Sequence, residues 1–275
     1  MSLFVRLQKR LPQHGLSRAA GALAAAEAPW IRRPLIRAFA RAYGVDMAQA
    51  ARPDLDSYAS FNDFFSRALA PGARPVDAAP DAVVSPADGV VSQTGTIERG
   101  ELIQAKGVRY PFRDLANVCA RPAFEGGAFA TIYLSPKDYH RVHLPLAGRL
   151  VRTVAVPGRL FSVNAATEAG VEGLFAVNER LVMEFETDAG TMLVVMVGAL
   201  IVASIETVWD GPRSPYRARA VTRHDLAFEK GAEIGRFVLG SSVVLAFERE
   251  RVALAPDLSA GSVVRMGRAI GTAPR

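Results

Sequence analysis

The sequence predicts an α+β protein, in which N-terminal amphipathic helices precede a mainly antiparallel β domain. Two patterns lead to this prediction. Ile31, Leu35 and Phe39 recur every four residues, as expected for one face of a helix, and arginines occupy the opposite face. From about Pro80 onward, short β-branched or apolar segments alternate with Gly, Pro, Asp and Asn, which is typical of strands joined by turns.

These patterns divide the chain into a helical region over residues 1–75 and a β-rich domain over residues 76–275. Pro34 suits the first position of a helix. Ser135, followed by proline, predicts the cap of one helical turn, with a new strand beginning at Arg141. The segment Glu186 to Thr191 ("ETDAGT") predicts a hairpin turn between two strands.

Positive charge is concentrated at the N-terminus. The first 43 residues hold eight basic residues and one acid, Glu27, whereas the remainder holds 25 basic and 26 acidic residues. This asymmetry indicates an anionic partner, and basic helices with large apolar faces favour an anionic phospholipid membrane over nucleic acid. Packing of the same faces on the protein's own core is an equal alternative. No apolar stretch approaches the ~20 residues that span a bilayer, and Cys119, the only cysteine, excludes an intramolecular disulfide.

Two segments of the β domain carry candidate catalytic side chains. Asp88 follows proline and precedes glycine in "SPADG", which is typical of a tight turn. His140 and His143 lie in "LSPKDYHRVHLP" at H-x-x-H spacing. No third ligand follows nearby, and Lys137 and Arg141 would repel a cation, so no metal is expected.

A third segment, "FVLGSSVV", interrupts an apolar strand with Gly240, Ser241 and Ser242. The nucleophile elbow G-x-S-x-G of hydrolases is absent. Another reaction suits this break. If the Ser241 hydroxyl attacks the Gly240 carbonyl, the peptide becomes an ester, and elimination followed by hydrolysis leaves a pyruvoyl group. Glycine leaves the approach to that carbonyl unobstructed.

The chain resembles bacterial phosphatidylserine decarboxylases. "FVLGSSVV" matches their L-G-S-T motif with Ser242 in place of threonine, and "FNDFFSR", "SPADG" and "LSPKDYHRVHLP" are similar to stretches of that family. The resemblance implies self-cleavage between Gly240 and Ser241, with Asp88, His143 and Ser241 as the processing triad. In that triad, Asp88 orients His143, and His143 takes the proton of Ser241.

The resemblance also implies a covalent pyruvoyl cofactor derived from Ser241, which forms a Schiff base with phosphatidylserine and yields phosphatidylethanolamine after loss of CO₂. His140 is the candidate proton donor for that step. We expect the cleaved chains, 1–240 and 241–275, to stay tightly associated. We also expect a peripheral location on the cytoplasmic face of the cell membrane, no nucleic-acid partner, and compatibility with a homodimer.

Two alternatives remain open from the sequence. A serine hydrolase would use Asp88, His143 and Ser241 and stay a single chain. A non-catalytic membrane-binding β module would need none of these side chains.

Overall fold

An eight-stranded antiparallel sheet forms the centre of the protein in the computed structural model. The structure describes residues 5, 8, 11–104, 107–200, 205–209, 211, 214–238 and 242–274. The strand order of this sheet is β11-β7-β8-β9-β13-β5-β2-β15, and smaller sheets have the orders β1-β16-β14, β10-β12-β6 and β3-β4. The strands are β1 (Ala82–Val84), β2 (Gly89–Thr96), β3 (Glu101–Ile103), β4 (Arg109–Pro111), β5 (Gly127–Tyr133), β6 (Arg141–His143), β7 (Gly148–Val156), β8 (Arg180–Thr187), β9 (Gly190–Val197), β10 (Ile205–Thr207), β11 (Ala220–Phe228), β12 (Glu233–Phe237), β13 (Ser242–Arg249), β14 (Ala253–Leu254), β15 (Val263–Val264) and β16 (Ala269–Thr272).

Helices occupy the N-terminal region and short connections between strands, so the predicted α+β class is confirmed. They are α1 (Gln13–Ala24), α2 (Pro29–Tyr43), α3 (Phe61–Phe65), α4 (Phe112–Ala116), α5 (Ala165–Glu168) and α6 (Leu174–Val177). Within the described ranges, no helix is long and apolar enough to cross a bilayer.

Apolar clusters cover both faces of the central sheet. Along β13, Val243 and Leu245 enter one cluster, and Val244 and Ala246 enter the other. Alternate side chains of a strand point to opposite faces, so a strand buried on both faces must be apolar throughout. This requirement explains the unbroken apolar run that follows Ser242.

The apolar face of α2 packs on α3 rather than standing free. Ile36 and Ala40 are buried there, and the ring centroid of Phe39 lies 5.0 Å from that of Phe61 and 5.8 Å from that of Phe65. The alternative that this face packs on the protein's own core is therefore the observed one. Any lipid surface has to be met by other residues.

Two local predictions need correction. α2 begins at Pro29, and Pro34 lies inside it. The hydrogen bond that Pro34 cannot make would reach the carbonyl of Trp30, a residue exposed to solvent, so the proline is tolerated. Ser135 caps no helix, because its hydroxyl donates to the Asp138 carboxylate (2.7 Å) and closes a turn.

Two other local predictions are confirmed. Strand β6 begins at Arg141, and the segment Glu186 to Thr191 connects β8 and β9 as a hairpin.

Gly89 brings β2 unusually close to β5. A Cβ atom on this residue would lie 2.3 Å from the Tyr133 carbonyl oxygen and 3.1 Å from Cγ2 of Ile132. Because the nearer atom belongs to the backbone, it cannot move aside without disturbing the sheet. Glycine is therefore required at the start of β2, directly after Asp88.

We predict that Gly89→Ala lowers the free energy of unfolding by roughly 1–3 kcal/mol, since the added methyl group forces β2 and β5 apart. Urea denaturation measures this change. Gly21→Ala is the matched control, because its Cβ would meet nothing within 4 Å in α1. That control should leave stability unchanged or raise it. Equal stabilities of wild type and Gly89→Ala would contradict the proposed close approach.

Candidate active site

Three neighbouring strands meet at one end of the central sheet, where β5 ends and β2 and β13 begin. Tyr133, the last residue of β5, pairs with Val90 of β2 on one side and with Ser242 of β13 on the other. Asp88 lies two residues before Val90. The loop that carries Asp88 and the beginning of β13 are therefore separated by one strand only.

Gly240 and Ser241, the predicted cleavage site and nucleophile, lie outside the described residues. The structure describes the residues that flank this segment. Val238 on one side is buried, and Ser242 on the other is fully buried, with no hydrogen-bond partner for its Oγ among the described residues. The chain is therefore buried on both sides of the predicted cleavage segment.

Asp88 is a buried carboxylate held by an arginine. Nε of Arg74 donates to both of its oxygens, at 2.9 and 3.1 Å, and Nη2 of Arg74 donates to Oδ2. The backbone N–H of Met266 donates to Oδ1 at 2.9 Å. Charge-assisted hydrogen bonds of this kind offset the cost of burying the carboxylate.

His143 is held in one tautomer. Its Nδ1 donates to the carbonyl oxygen of Gly231 (2.8 Å), because a carbonyl can only accept. Nε2 therefore carries a lone pair in the neutral ring, and it accepts a hydrogen bond from the Tyr139 hydroxyl (2.9 Å). Burial lowers the pKa of His143, against smaller effects of the Gly231 carbonyl, Glu233 and Asp88 that raise it. The result is a neutral ring whose Nε2 lone pair is engaged by the Tyr139 hydroxyl.

The family resemblance implied that Asp88 orients His143, and the structure shows different hydrogen-bond partners for both side chains. Gly231 holds the ring, and Asp88 pairs with Arg74. The two predicted residues are nevertheless close, because the His143 backbone N–H donates to the carbonyl of Pro86 at 2.8 Å, in the same loop as Asp88. Asp88 acts on His143 in this arrangement through its charge.

His140 is fully buried against the ring of Phe65, with centroids 3.9 Å apart. Burial lowers its pKa to about 3, and the positive charge of Arg67 acts in the same direction. The His140 carbonyl accepts the backbone N–H of Phe237 at 2.9 Å, which ties this residue to the end of β12. His140 is therefore neutral near pH 7 and lies beside the chain that leads toward Gly240.

Sequence reasoning missed three residues of this site, namely Arg74, Tyr139 and Gly231. Tyr139 had a usable signal, because it stands four residues before His143 in a segment already singled out. Arg74 had none, since its partner follows 14 residues later across a loop. A backbone carbonyl such as that of Gly231, 88 residues from His143, leaves no trace in side-chain patterns.

An open cleft of about 320 Å³ leads to Asp88 and Tyr139. Its other walls come from the turn before β6, the end of β15 and the segment after α2. Among the residues that the structure describes, no group of three or more His, Cys, Asp or Glu side chains could hold a metal ion. The cleft therefore reaches Asp88 and Tyr139 directly, whereas His140 and His143 lie behind its lining residues.

A buried neutral histidine and a buried carboxylate beside an open cleft are, in this antiparallel β fold, groups of the kind that enzymes use for acid–base catalysis. Comparison with known proteins gives the family. A family model described as phosphatidylserine decarboxylase matches residues 61–272, and one described as PSD matches residues 3–44. The chain belongs to the phosphatidylserine decarboxylase family, and the resemblance inferred from its motifs is confirmed.

Relatives named phosphatidylserine decarboxylase proenzyme match almost the whole chain. The protein of Azotobacter vinelandii is 50% identical over 98% of both chains. That of Ectopseudomonas mendocina is 51% identical with the same coverage. That of Acinetobacter baumannii is 49% identical over 98% of this chain and 95% of its own.

The depressed pKa of His140 predicts acid sensitivity. The unfolded chain binds a proton at His140 below about pH 6.5, whereas the folded protein does not until about pH 3. His140 should therefore lower the free energy of unfolding by roughly 1 kcal/mol for each pH unit below 6.5. His140→Gln should flatten this dependence in urea denaturation between pH 7 and 4. His224→Gln, at a partly exposed histidine on β11, is the control. Parallel pH curves for wild type and His140→Gln would contradict the assignment.

Proposed function

We propose that this chain is a proenzyme that cuts itself between Gly240 and Ser241 and then decarboxylates phosphatidylserine to phosphatidylethanolamine. The observation that carries the proposal is the state of His143, a buried neutral base with its lone pair on Nε2. The full-length similarity to relatives named as proenzymes supports the same conclusion.

Self-cleavage begins with a proton transfer to His143. Oγ of Ser241 attacks the carbonyl carbon of Gly240, and Nε2 of His143 takes the hydroxyl proton. The hydrogen bond from Tyr139 has to open before Nε2 can accept that proton. The carbonyl of Gly231 keeps the ring oriented, and the charge of Asp88 favours the imidazolium that forms.

The remaining steps convert the peptide to a ketone. The C–N bond of Gly240 breaks as the Ser241 nitrogen takes up a proton, which leaves an ester on the Ser241 side chain. Loss of the Ser241 α-proton expels the Gly240 carboxylate and leaves dehydroalanine. Water hydrolyses its imine form to a pyruvoyl group and ammonia.

The two chains would remain together after cleavage. Residues 241–275 contain β13 to β16, of which β13 pairs with both β9 and β5, β15 pairs with β2, and β16 pairs with β1. These hydrogen bonds do not involve the peptide that is cut. The short chain is thus anchored by four strands of the long one.

When formed, the pyruvoyl group supplies a carbonyl that accepts the electron pair left by departing CO₂. His140 is the proposed donor of the proton that replaces the lost carboxyl group. Since its pKa is about 3, the ring holds a single N–H near pH 7. That N–H would pass to the carbanion, and the ring would regain a proton from solvent, which supplies the one proton that decarboxylation consumes.

The N-terminal region would bring the site to its lipid. Leu16, Leu23 and Trp30 are 42%, 50% and 79% exposed, and they stand beside the arginines of α1 and α2. Apolar side chains flanked by arginines suit the interface of an anionic membrane. The cytoplasmic leaflet carries such charge, so we place the protein there as a peripheral enzyme.

We predict that Ser241→Ala abolishes both cleavage and CO₂ release. Intact-mass analysis should find one chain for this variant. For wild type it should find two chains, the shorter one lighter by one ammonia than a serine-started peptide. Ser242→Ala is the matched control, because its Oγ makes no hydrogen bond among the described residues, and it should cut normally. An unbroken wild-type chain that forms an acyl-enzyme would favour a serine hydrolase. An unbroken chain without that activity would favour a membrane-binding β module.

In the same assay, Asp88→Asn and His143→Ala should slow cleavage by about 100-fold or more, because each removes a group that acts on the transferred proton. His224→Ala should cut at the wild-type rate, since His224 contacts Thr153 on a distant strand. Wild-type cleavage by His143→Ala would refute its role as the base.

We predict that Leu23→Asp combined with Trp30→Asp weakens binding to phosphatidylserine-containing vesicles about tenfold or more, because two apolar contacts are replaced by like-charged ones. Vesicle sedimentation measures this loss. Val118→Asp combined with Val208→Asp adds the same charge at side chains that are 43% and 50% exposed elsewhere, and should bind more tightly than the first pair. Equal losses in both pairs would show that charge alone governs binding.

A further inference from the structure

The cleft beside Asp88 contains more positive than negative charge. Four cations line it, against three carboxylates, Asp46, Asp88 and Asp138. All three carboxylates already accept hydrogen bonds from nearby protein groups: Asp46 from Gln49, Asp88 from Arg74 and Asp138 from Ser135. Each carboxylate of the cleft is therefore already hydrogen-bonded within the protein.

Lys137 and Arg265 are the two exposed cations of the cleft that pair with no carboxylate among the described residues. Both side chains belong to exposed residues, and within the described residues neither makes an ion pair or side-chain hydrogen bond. They come from different elements, Lys137 from the turn between β5 and β6 and Arg265 from the residue after β15. The fold thus brings to one cleft two cations that are 128 residues apart in the sequence.

A third cation supports the turn that carries Lys137. Arg67 is 4% exposed, and its Nη2 donates to the carbonyl oxygens of Lys137 at 2.9 Å and Asp138 at 3.3 Å. Its Nη1 is buried and has no acceptor among the described residues. A guanidinium buried without a carboxylate partner raises the positive potential of its surroundings. An anion in the cleft would offset that charge.

We propose that Lys137 and Arg265 bind the phosphodiester group of a glycerophospholipid headgroup. This inference rests on the proposed function and extends it to the substrate's second anionic group. The carboxylate is the poorer ligand for these cations, because a cation that stabilises it would oppose its loss as CO₂. The phosphodiester persists from substrate to product, so cations can hold it throughout the reaction.

The rim of the cleft suits the rest of such a lipid. Gly44, which ends α2, lines the cleft, so the cleft opens next to a helix of the proposed membrane-facing region. Val263, two residues before Arg265, also lines it and is 76% exposed. An exposed apolar residue next to a free cation fits the glycerol and acyl part of a lipid next to its phosphate.

The test compares Lys137→Ala combined with Arg265→Ala against Arg113→Ala combined with Arg249→Ala. The control pair removes the same charge at side chains that are 81% and 67% exposed outside the cleft. The first pair should raise the KM for phosphatidylserine about tenfold or more, with kcat and self-cleavage close to wild type. The control pair should leave all three close to wild type.

A binding measurement separates the ligand groups. Glycerophosphoethanolamine should raise the Tm of the wild-type protein, and this rise should disappear in Lys137→Ala combined with Arg265→Ala. Serine, which has a carboxylate and no phosphate, should give no rise that depends on the two cations. An equal rise with inorganic phosphate would identify a site for free phosphate and overturn the lipid assignment.

The inference is also overturned if the cleft variant keeps the wild-type Tm rise, or if serine replaces glycerophosphoethanolamine in causing it. Failure of the proposed function looks different. In that case wild-type protein releases no CO₂ from phosphatidylserine, while the Tm rise with glycerophosphoethanolamine still depends on Lys137 and Arg265.

Discussion

Hydrogen bonding on both sides of β13 is the constraint on which the rest of the structure depends. This strand pairs with β9 and β5, and its side chains enter apolar clusters on both faces of the sheet. Its position is fixed without help from the residues that precede it. A break in the chain just before Ser242 therefore leaves the hydrogen bonds of β13 intact, and Ser242 stays one strand away from β2, which follows the loop of Asp88.

Burial decides the charge state of the groups around this point. Asp88 is buried with its counterion, Arg74, while both histidines are kept neutral because desolvation disfavours the charged ring. A neutral histidine is the form that can accept a proton, and a paired carboxylate is a charge that stays in place. The arrangement suits a reaction that needs one proton acceptor and a fixed negative charge near it.

The sequence predicted the elements whose signals are local. The hairpin between β8 and β9, the start of β6 at Arg141 and the order of helices before strands all follow from patterns within a few residues. Local patterns do not predict contacts between segments that are distant in the sequence. The carbonyl of Gly231 on His143 and the covering of Phe39 by α3 depend on how the chain folds back on itself. The sequence therefore singled out His143 as a candidate but not the carbonyl that orients its ring.

Contacts at the candidate site join residues on the two sides of the predicted boundary after residue 75. Phe65 covers His140, Arg67 supports the turn of Lys137, and Arg74 holds Asp88. Each of these three residues precedes the boundary, and each acts on a residue of the β domain that is proposed to bind or process substrate. If a membrane displaced the N-terminal region, the positions of His140, the turn of Lys137 and Asp88 would therefore change with it. The segment from Phe65 to Arg74 therefore packs against the candidate site itself and is not only a connection between the helices and the β domain.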